Sequence, residues 1–261
     1  MSPKLCLGTA QFGMNYGVTN EKGQISQNEI TKIIKVAKDY NIKLLDTAQG
    51  YGNAEEVIGK SVTNKGNFQV ISKIYVNEDE DKNHLEKKFL KTIKNLNIQS
   101  IEGLLIHNVN EVKNHKKREI IKWLISLKER NLVKKIGLSI YEYEELENIP
   151  IRSFQIIQIP LSIYDQRLIK NESIYKLKEK GLEIHARSIF LQGLLLQKSS
   201  KWPKYLSKEF KHHHNNFYKS LNNDMDNILN KILSFQNSIE ELDSVIIGVT
   251  NSKELKQIAT I

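Results

Sequence analysis

The sequence predicts an α/β protein, a (β/α)8 TIM barrel built as a single domain over residues 1–261, on three observations. Eight short runs rich in Ile, Leu and Val are spaced along the chain, with turns and helical patterns between them. Such runs suit strands covered on both faces, the strands of a parallel sheet. Eight of them in 261 residues match the strand count and the length, roughly 250 residues, at which such a barrel closes. A doubly wound open sheet is the competing arrangement. Against it, the first run leads into GTAQFGMNYG, Gly8–Gly17, and not into a G-x-G-x-x-G turn opening a helix.

The runs are Leu5–Thr9, Lys43–Thr47, Gln69–Ile74, Gly103–His107, Lys135–Ser139, Gln155–Pro160, Glu183–Ser188 and Ser244–Val249. After the first, SQNEITKIIKVAKDY opens on Ser26 with Glu29 three residues later, the spacing of a capping box. After the second, Asn53 is placed to cap a helix. After the third, Leu85, Phe89, Ile93 and Leu96 recur along one helix face. Ile120, Leu124 and Leu127 do the same after the fourth, in a pattern that includes Trp123. ESIYKLKEKG, after the sixth, stops at Gly181, which suits the position just past a helix end. The long polar stretch Leu194–Lys219 breaks the rhythm and predicts a loop with some helix at the functional end. It holds Trp202 and the run His212–His214, read as a polar loop tract because no other metal ligand has matching spacing; no metal is expected.

The formal net charge is +9, but the cations are mostly lysines interspersed with acids, without a basic stripe interleaved with aromatics. A nucleic-acid partner is therefore not expected, and the excess charge biases the surface toward anionic ligands. A single cysteine, Cys6, rules out an internal disulfide and suits a reducing compartment; it reads as a small core residue. There is neither a signal-peptide pattern nor an apolar run of about 18 residues, so a cytoplasmic protein without a membrane span is expected.

In a barrel, chemistry sits where strands end and their following loops begin. Asp46 ends the second run, with Tyr51 in the loop after it. Lys73 lies near the end of the third, His107 ends the fourth, and Ser139, Gln158 and Arg187–Ser188 lie at the ends of the next three. A lysine at the end of an apolar strand needs a partner, and Asp46 on the neighbouring strand is the natural one. A nearby ammonium is expected to favour phenolate and pull the Tyr51 pKa below its usual value of about 10. A phenol so tuned gives or takes a proton, and His107 is placed to orient a carbonyl oxygen.

The segments LGTAQFG, LLDTAQGYGNAEEVIG, ISKIY, LLIHN, KKIGLSIYEYEEL and HARSIFLQG occur in order along nearly the whole chain. Together they resemble the successive signatures of the aldo-keto reductase superfamily, including the spacing from Asp46 to Tyr51. The resemblance implies a barrel that reduces an aldehyde or ketone with NADPH, NAD being the alternative cofactor. It implies Tyr51 as the proton donor, Lys73 tuning it, Asp46 holding Lys73, and His107 orienting the carbonyl. It places Ser139 and Gln158 at the nicotinamide carboxamide and Ser188 to Gly193 at the pyrophosphate. The adenosine phosphate falls to Gly248, Asn251 and Lys253, and Thr9 and Arg187 join the cofactor set. Loops after the seventh and eighth strands form the usual barrel phosphate site, which agrees, and Asn251 as an N-cap is expected to leave N–H groups free for an anion.

The cofactor side departs from the family pattern at three places. Ile140 stands where an asparagine usually follows Ser139, Arg187 where an aromatic often stacks on nicotinamide, and Glu254 beside Lys253 where positive residues usually hold a 2′-phosphate. A nicotinamide dinucleotide with relaxed NAD/NADP choice is therefore expected. HARSIFLQGLLL and QIPLSIYDQR resemble a bacterial subgroup linked to polysaccharide and sugar metabolism, which implies a sugar-derived carbonyl substrate, with Arg167 and Arg187 suited to an anionic one. Two rival readings are a lyase or isomerase using Tyr51 and Lys73 without hydride transfer, and a non-catalytic carbohydrate-binding barrel.

Overall fold

In the computed structural model, which describes residues 3–62, 68–112 and 117–261, the apolar runs form parallel strands closed into a barrel in chain order. They are β1 (Lys4–Gly8), β2 (Leu44–Asp46), β3 (Gln69–Ile74), β4 (Ile101–Ile106), β5 (Val133–Ser139), β6 (Ile156–Pro160), β7 (Glu183–Arg187) and β8 (Leu242–Gly248). β1 pairs with both β2 and β8, which closes the ring and leaves no strand edge exposed. The helices are α1 (Ala10–Gly13), α2 (Gln27–Asp39), α3 (Ala54–Ser61), α4 (Lys82–Leu96), α5 (Lys117–Glu129), α6 (Arg167–Lys170), α7 (Ser173–Glu179), α8 (Lys208–Ser220), α9 (Met225–Asn237) and α10 (Ser252–Ala259).

Most of the core lies between the strands and the helices, where Phe89, Trp123, Leu124 and Leu127 are buried as their helical spacing predicts. A second, small cluster of Ile71, Leu105 and Ile156, with Leu44 against it, fills the barrel interior. Side chains alternate faces along a strand, so residues two further on point the same way. Leu44 leads to Asp46, Ile71 to Lys73, Leu105 to His107 and Ile156 to Gln158. The apolar layer is thus the floor on which a polar layer stands, at the C-terminal mouth of the barrel.

The helix ends match the sequence in part. Ser26 caps α2, accepting from the Glu29 N–H at 3.4 Å, but the Glu29 side chain does not close a capping box. Its carboxylate accepts instead from the backbone N–H and the hydroxyl of Ser252, each at 2.7 Å, tying α2 to α10. Asn53 precedes α3 without capping it; its Oδ1 accepts from Gln24 Nε2 at 2.8 Å. Gly181, with φ of +78°, follows α7 as expected. The polar stretch after β7 holds two 3-10 turns, Leu191–Leu196 and Ser199–Lys201, and then α8. His212–His214 therefore lie on a helix, not in a loop. His214 is fully buried, with Nδ1 3.0 Å from the Tyr164 hydroxyl and Nε2 2.8 Å from the Gln197 carbonyl oxygen. Trp202 is buried too and donates to the Leu194 carbonyl at 2.9 Å. Among the described residues no helix is long and apolar enough to cross a membrane, and no group of three His, Cys, Asp or Glu side chains could hold a metal ion.

Candidate active site

The four residues predicted to carry chemistry meet at the mouth of the barrel. Lys73 is 1% exposed, and its ammonium donates to both Asp46 carboxylate oxygens, at 2.7 and 2.6 Å, and to the Thr47 carbonyl at 3.0 Å. Gln158 donates to Asp46 Oδ1 at 2.5 Å. The Asp46 backbone carbonyl accepts from the Thr9 N–H at 3.0 Å and the Thr9 hydroxyl at 2.9 Å. A buried charge pair is tolerated only when its remaining hydrogen-bonding capacity is met, and these contacts meet most of it.

Tyr51 lies above this pair, with the Lys73 ammonium 5.2 Å from its ring centroid. The turn carrying it is set by close backbone approach: a Cβ on Gly13 would sit 1.9 Å from the Tyr51 carbonyl oxygen, so only glycine fits there. The turn after β1 thereby positions the tyrosine from the turn after β2. Burial, and next the Asp46 charge, push the Tyr51 pKa well above its usual value of 10. The net shift is thus opposite to the one expected from the neighbouring ammonium. Lys73 directs its donors to the Asp46 carboxylate and to Thr47. Arg187 acts to lower the Tyr51 pKa and is outweighed. At neutral pH the phenol is protonated.

His107 meets Tyr51 edge-on, with ring centroids 6.0 Å apart, and stacks flat on Tyr75 at 4.1 Å. Its Nε2 lies 3.2 Å from the Tyr75 hydroxyl. Burial, with help from the Lys73 charge, lowers its pKa from 6.5 to about 4, so the imidazole is neutral at pH 7. Tyr75 was not singled out from sequence, although it follows Lys73 by two residues and so shares its face.

A cleft of about 710 Å3 opens over these groups, within the range of roughly 300–1,000 Å3 common for small-molecule sites. Of the predicted cofactor residues, Thr9, Ser139, Arg187, Ser188, Gly193, Gly248 and Asn251 line it. Gln158 and Lys253 do not. Gln158 is fully buried and spends its amide donor on Asp46, while Lys253 is exposed on the outside of α10. Arg187 stacks over Tyr141, 4.4 Å from its ring centroid, and donates to the Ile140 carbonyl at 3.2 Å; its Nε is buried without a partner. Arg167, expected near the rim, is not on the cleft wall and pairs with Asp165 and Glu142. Tyr16, Tyr75 and Tyr141 add phenols to the rim. The turns after β1 and β7 meet beside the cleft, where the Thr19 hydroxyl donates to the Gln192 carbonyl at 3.3 Å.

Asn251 caps α10 as predicted, accepting from the Glu254 N–H at 3.0 Å. Of the N–H groups expected to be free, that of Ser252 is taken by Glu29 at 2.7 Å and that of Glu254 by the cap; the Glu254 carboxylate also accepts from the Thr250 N–H at 2.7 Å.

Comparison with known proteins bears on this site. The model of the Aldo/keto reductase family matches residues 4–261. No protein of curated function matches the sequence. Among solved structures, the holo form of an aldo-keto reductase from Bacillus halodurans superimposes with a TM-score of 0.75 at 16% identity, over 99% of this chain and 86% of that one. An aldo-keto reductase from Klebsiella pneumoniae in complex with NADPH gives a TM-score of 0.74 at 15% identity, over 99% of this chain and 85% of that one. A Pseudomonas aeruginosa protein described as an aldo-keto reductase gives 0.71 at 19% identity, over 99% and 89% of the two chains. At these identities the structural likeness is one of fold.

Proposed function

The chain belongs to the aldo/keto reductase family, and from that premise we propose that it reduces an aldehyde or ketone to an alcohol with a nicotinamide dinucleotide, using Tyr51 as the proton donor. The observation that carries the proposal is the convergence of Tyr51 and His107 above the buried Lys73–Asp46 pair at the base of the cleft. The cofactor fits the residues present. Ser139, Ser188 and Gly193 line one continuous wall, and Arg187 brings to it a buried Nε donor without a partner.

When bound, the nicotinamide supplies the hydride. The protein supplies the proton and the alignment. Tyr51, protonated because burial holds its pKa high, donates its phenolic proton to the carbonyl oxygen. Lys73 and Arg187 then stabilise the phenolate left behind. His107 is neutral near pH 7 and offers Nε2 to the same oxygen, with Tyr75 yielding the hydrogen bond it makes there. A phenol that resists ionisation suits the direction of reduction, in which it starts protonated.

The rim favours a small polar carbonyl of sugar-like character. Phenols of Tyr16, Tyr75 and Tyr141 offer hydroxyl partners, and the Arg187 guanidinium suits an anionic substituent. A panel of aldehydes, ketones and sugars, followed by loss of reduced-dinucleotide absorbance, tests both activity and class. Tyr51→Phe is expected to lower turnover by about 10²-fold or more while leaving dinucleotide affinity within about twofold. A Tyr51→Phe protein that keeps most of its turnover would refute the proton-donor role.

A further inference from the structure

We propose that the α10 end of the cleft receives an unphosphorylated ribose, so that the protein binds NAD(H) in preference to NADP(H). The proposal rests on the nicotinamide-dependent function above and commits to one of the two dinucleotides.

The cleft is continuous from Tyr51 and His107, along Arg187 and Gly193, to Thr250, Asn251 and Glu254. A dinucleotide with its nicotinamide at Tyr51 runs toward the phosphate-binding region that barrels build after their seventh and eighth strands. A helix N-terminus there is ordinarily an anion site, because its first N–H groups lack partners. In this chain two of those donors are already taken, the Ser252 N–H by the Glu29 carboxylate and the Glu254 N–H by the Asn251 side chain. Glu254 accepts from the Thr250 N–H at 2.7 Å, the Thr250 hydroxyl at 2.8 Å and the Asn251 amide at 2.7 Å. Glu29, from α2, accepts from the Ser252 N–H and hydroxyl, both at 2.7 Å. The Glu254 N–H is bonded to Asn251.

A 2′-phosphate brought to this end meets the Glu254 carboxylate on the cleft wall, while Glu29 holds the Ser252 donors at the start of α10. Lys253 is exposed and off the cleft wall, so it does not offset these carboxylates. A ribose 2′-hydroxyl is different, since it can donate to a carboxylate. Glu254 lines the cleft, and an ionised carboxylate has about four acceptor sites, of which three are occupied. An acid facing the ribose hydroxyls is the general means of selecting the unphosphorylated dinucleotide. The cleft's other lysines besides Lys73 are Lys22 and Lys201, which come from the turns after β1 and β7, the two strands that flank β8. On the proposal they serve the pyrophosphate that both cofactors share.

The test is a calorimetric titration of the intact protein with NADH and with NADPH, without substrate, on wild type, Glu254→Gln and Glu29→Gln. NADH is expected to bind wild type about tenfold or more tightly than NADPH, the scale set by like charges a few ångströms apart near a protein surface. Glu254→Gln is expected to narrow that gap by tightening NADPH, with Glu29→Gln acting in the same direction. Equal or tighter binding of NADPH to wild type overturns the proposal whatever the variants do, and so does a ratio that Glu254→Gln leaves unchanged. Absence of binding by both dinucleotides overturns the nicotinamide-dependent function itself, which is a distinguishable result.

Discussion

Lys73 and His107 show how burial decides chemistry at single residues. Lys73, at 1% exposure, gives its donors to Asp46 and the Thr47 carbonyl. His107 has no such carboxylate contact, so desolvation and the Lys73 charge keep it neutral down to a pKa of about 4. The consequence for stability has a definite sign. Between pH 6.5 and 4 the unfolded chain takes up the His107 proton and the folded chain does not, so stability falls as pH drops through that window. It is fully present above 6.5. Denaturant midpoints are expected to rise from pH 4 to 6.5 more steeply in wild type than in His107→Gln, and the imidazole should titrate near 4 by NMR. Equal slopes in the two proteins would show that His107 is not shifted. The same scale holds the clearest misreading from sequence. The proximity of Lys73 to Tyr51 was legible, but not that burial and the Asp46 charge outweigh the cations around the phenol.

Among the elements, strands carry residues to the site and glycines let their turns converge. α3 packs on α4 so closely that a Cβ on Gly59 would lie 2.1 Å from the Asn95 carbonyl oxygen. Backbone cannot yield as a flexible side chain can. Gly59→Ala is therefore expected to destabilise the protein by about 1–3 kcal/mol, the usual range for overpacking, despite the better helix propensity of alanine. Thermal unfolding checks this, and an unchanged or raised midpoint would mean that α3 has room to shift. Strand positions were legible to within two residues, because apolar runs and their bounding turns are local signals. Helix caps were legible as residue types. Their partners were not: Glu29 has capping-box spacing yet bonds to Ser252, and Asn53 has cap chemistry yet bonds to Gln24.

For the whole molecule, ring closure between β1 and β8 brings chain ends together and makes one cleft from turns distant in sequence. The net charge of +9 favours an anionic dinucleotide at long range. Its affinity is expected to fall severalfold as ionic strength rises from about 0.05 to 0.5 M, where the screening length shrinks well below 10 Å. Fluorescence titration across that range checks the point; a flat profile would assign binding to short-range contacts alone.

The sequence by itself determined the barrel and the layer at its mouth. Strand periodicity is local, and the alternation that buries Ile71 and Leu105 also sends Lys73 and His107 to the mouth. It also marked Arg187, Ile140 and Glu254 as departures on the cofactor side. Tertiary structure alone decided what those charges do. It set Asp46 against Lys73, set Arg187 to act on Tyr51, moved Gln158 and Lys253 off the cleft wall, and placed Glu29 and Glu254 at the start of α10. The physical reason is that hydrogen bonds and ion pairs depend on distance and desolvation between residues far apart in the chain, and those quantities exist only once the ring has closed.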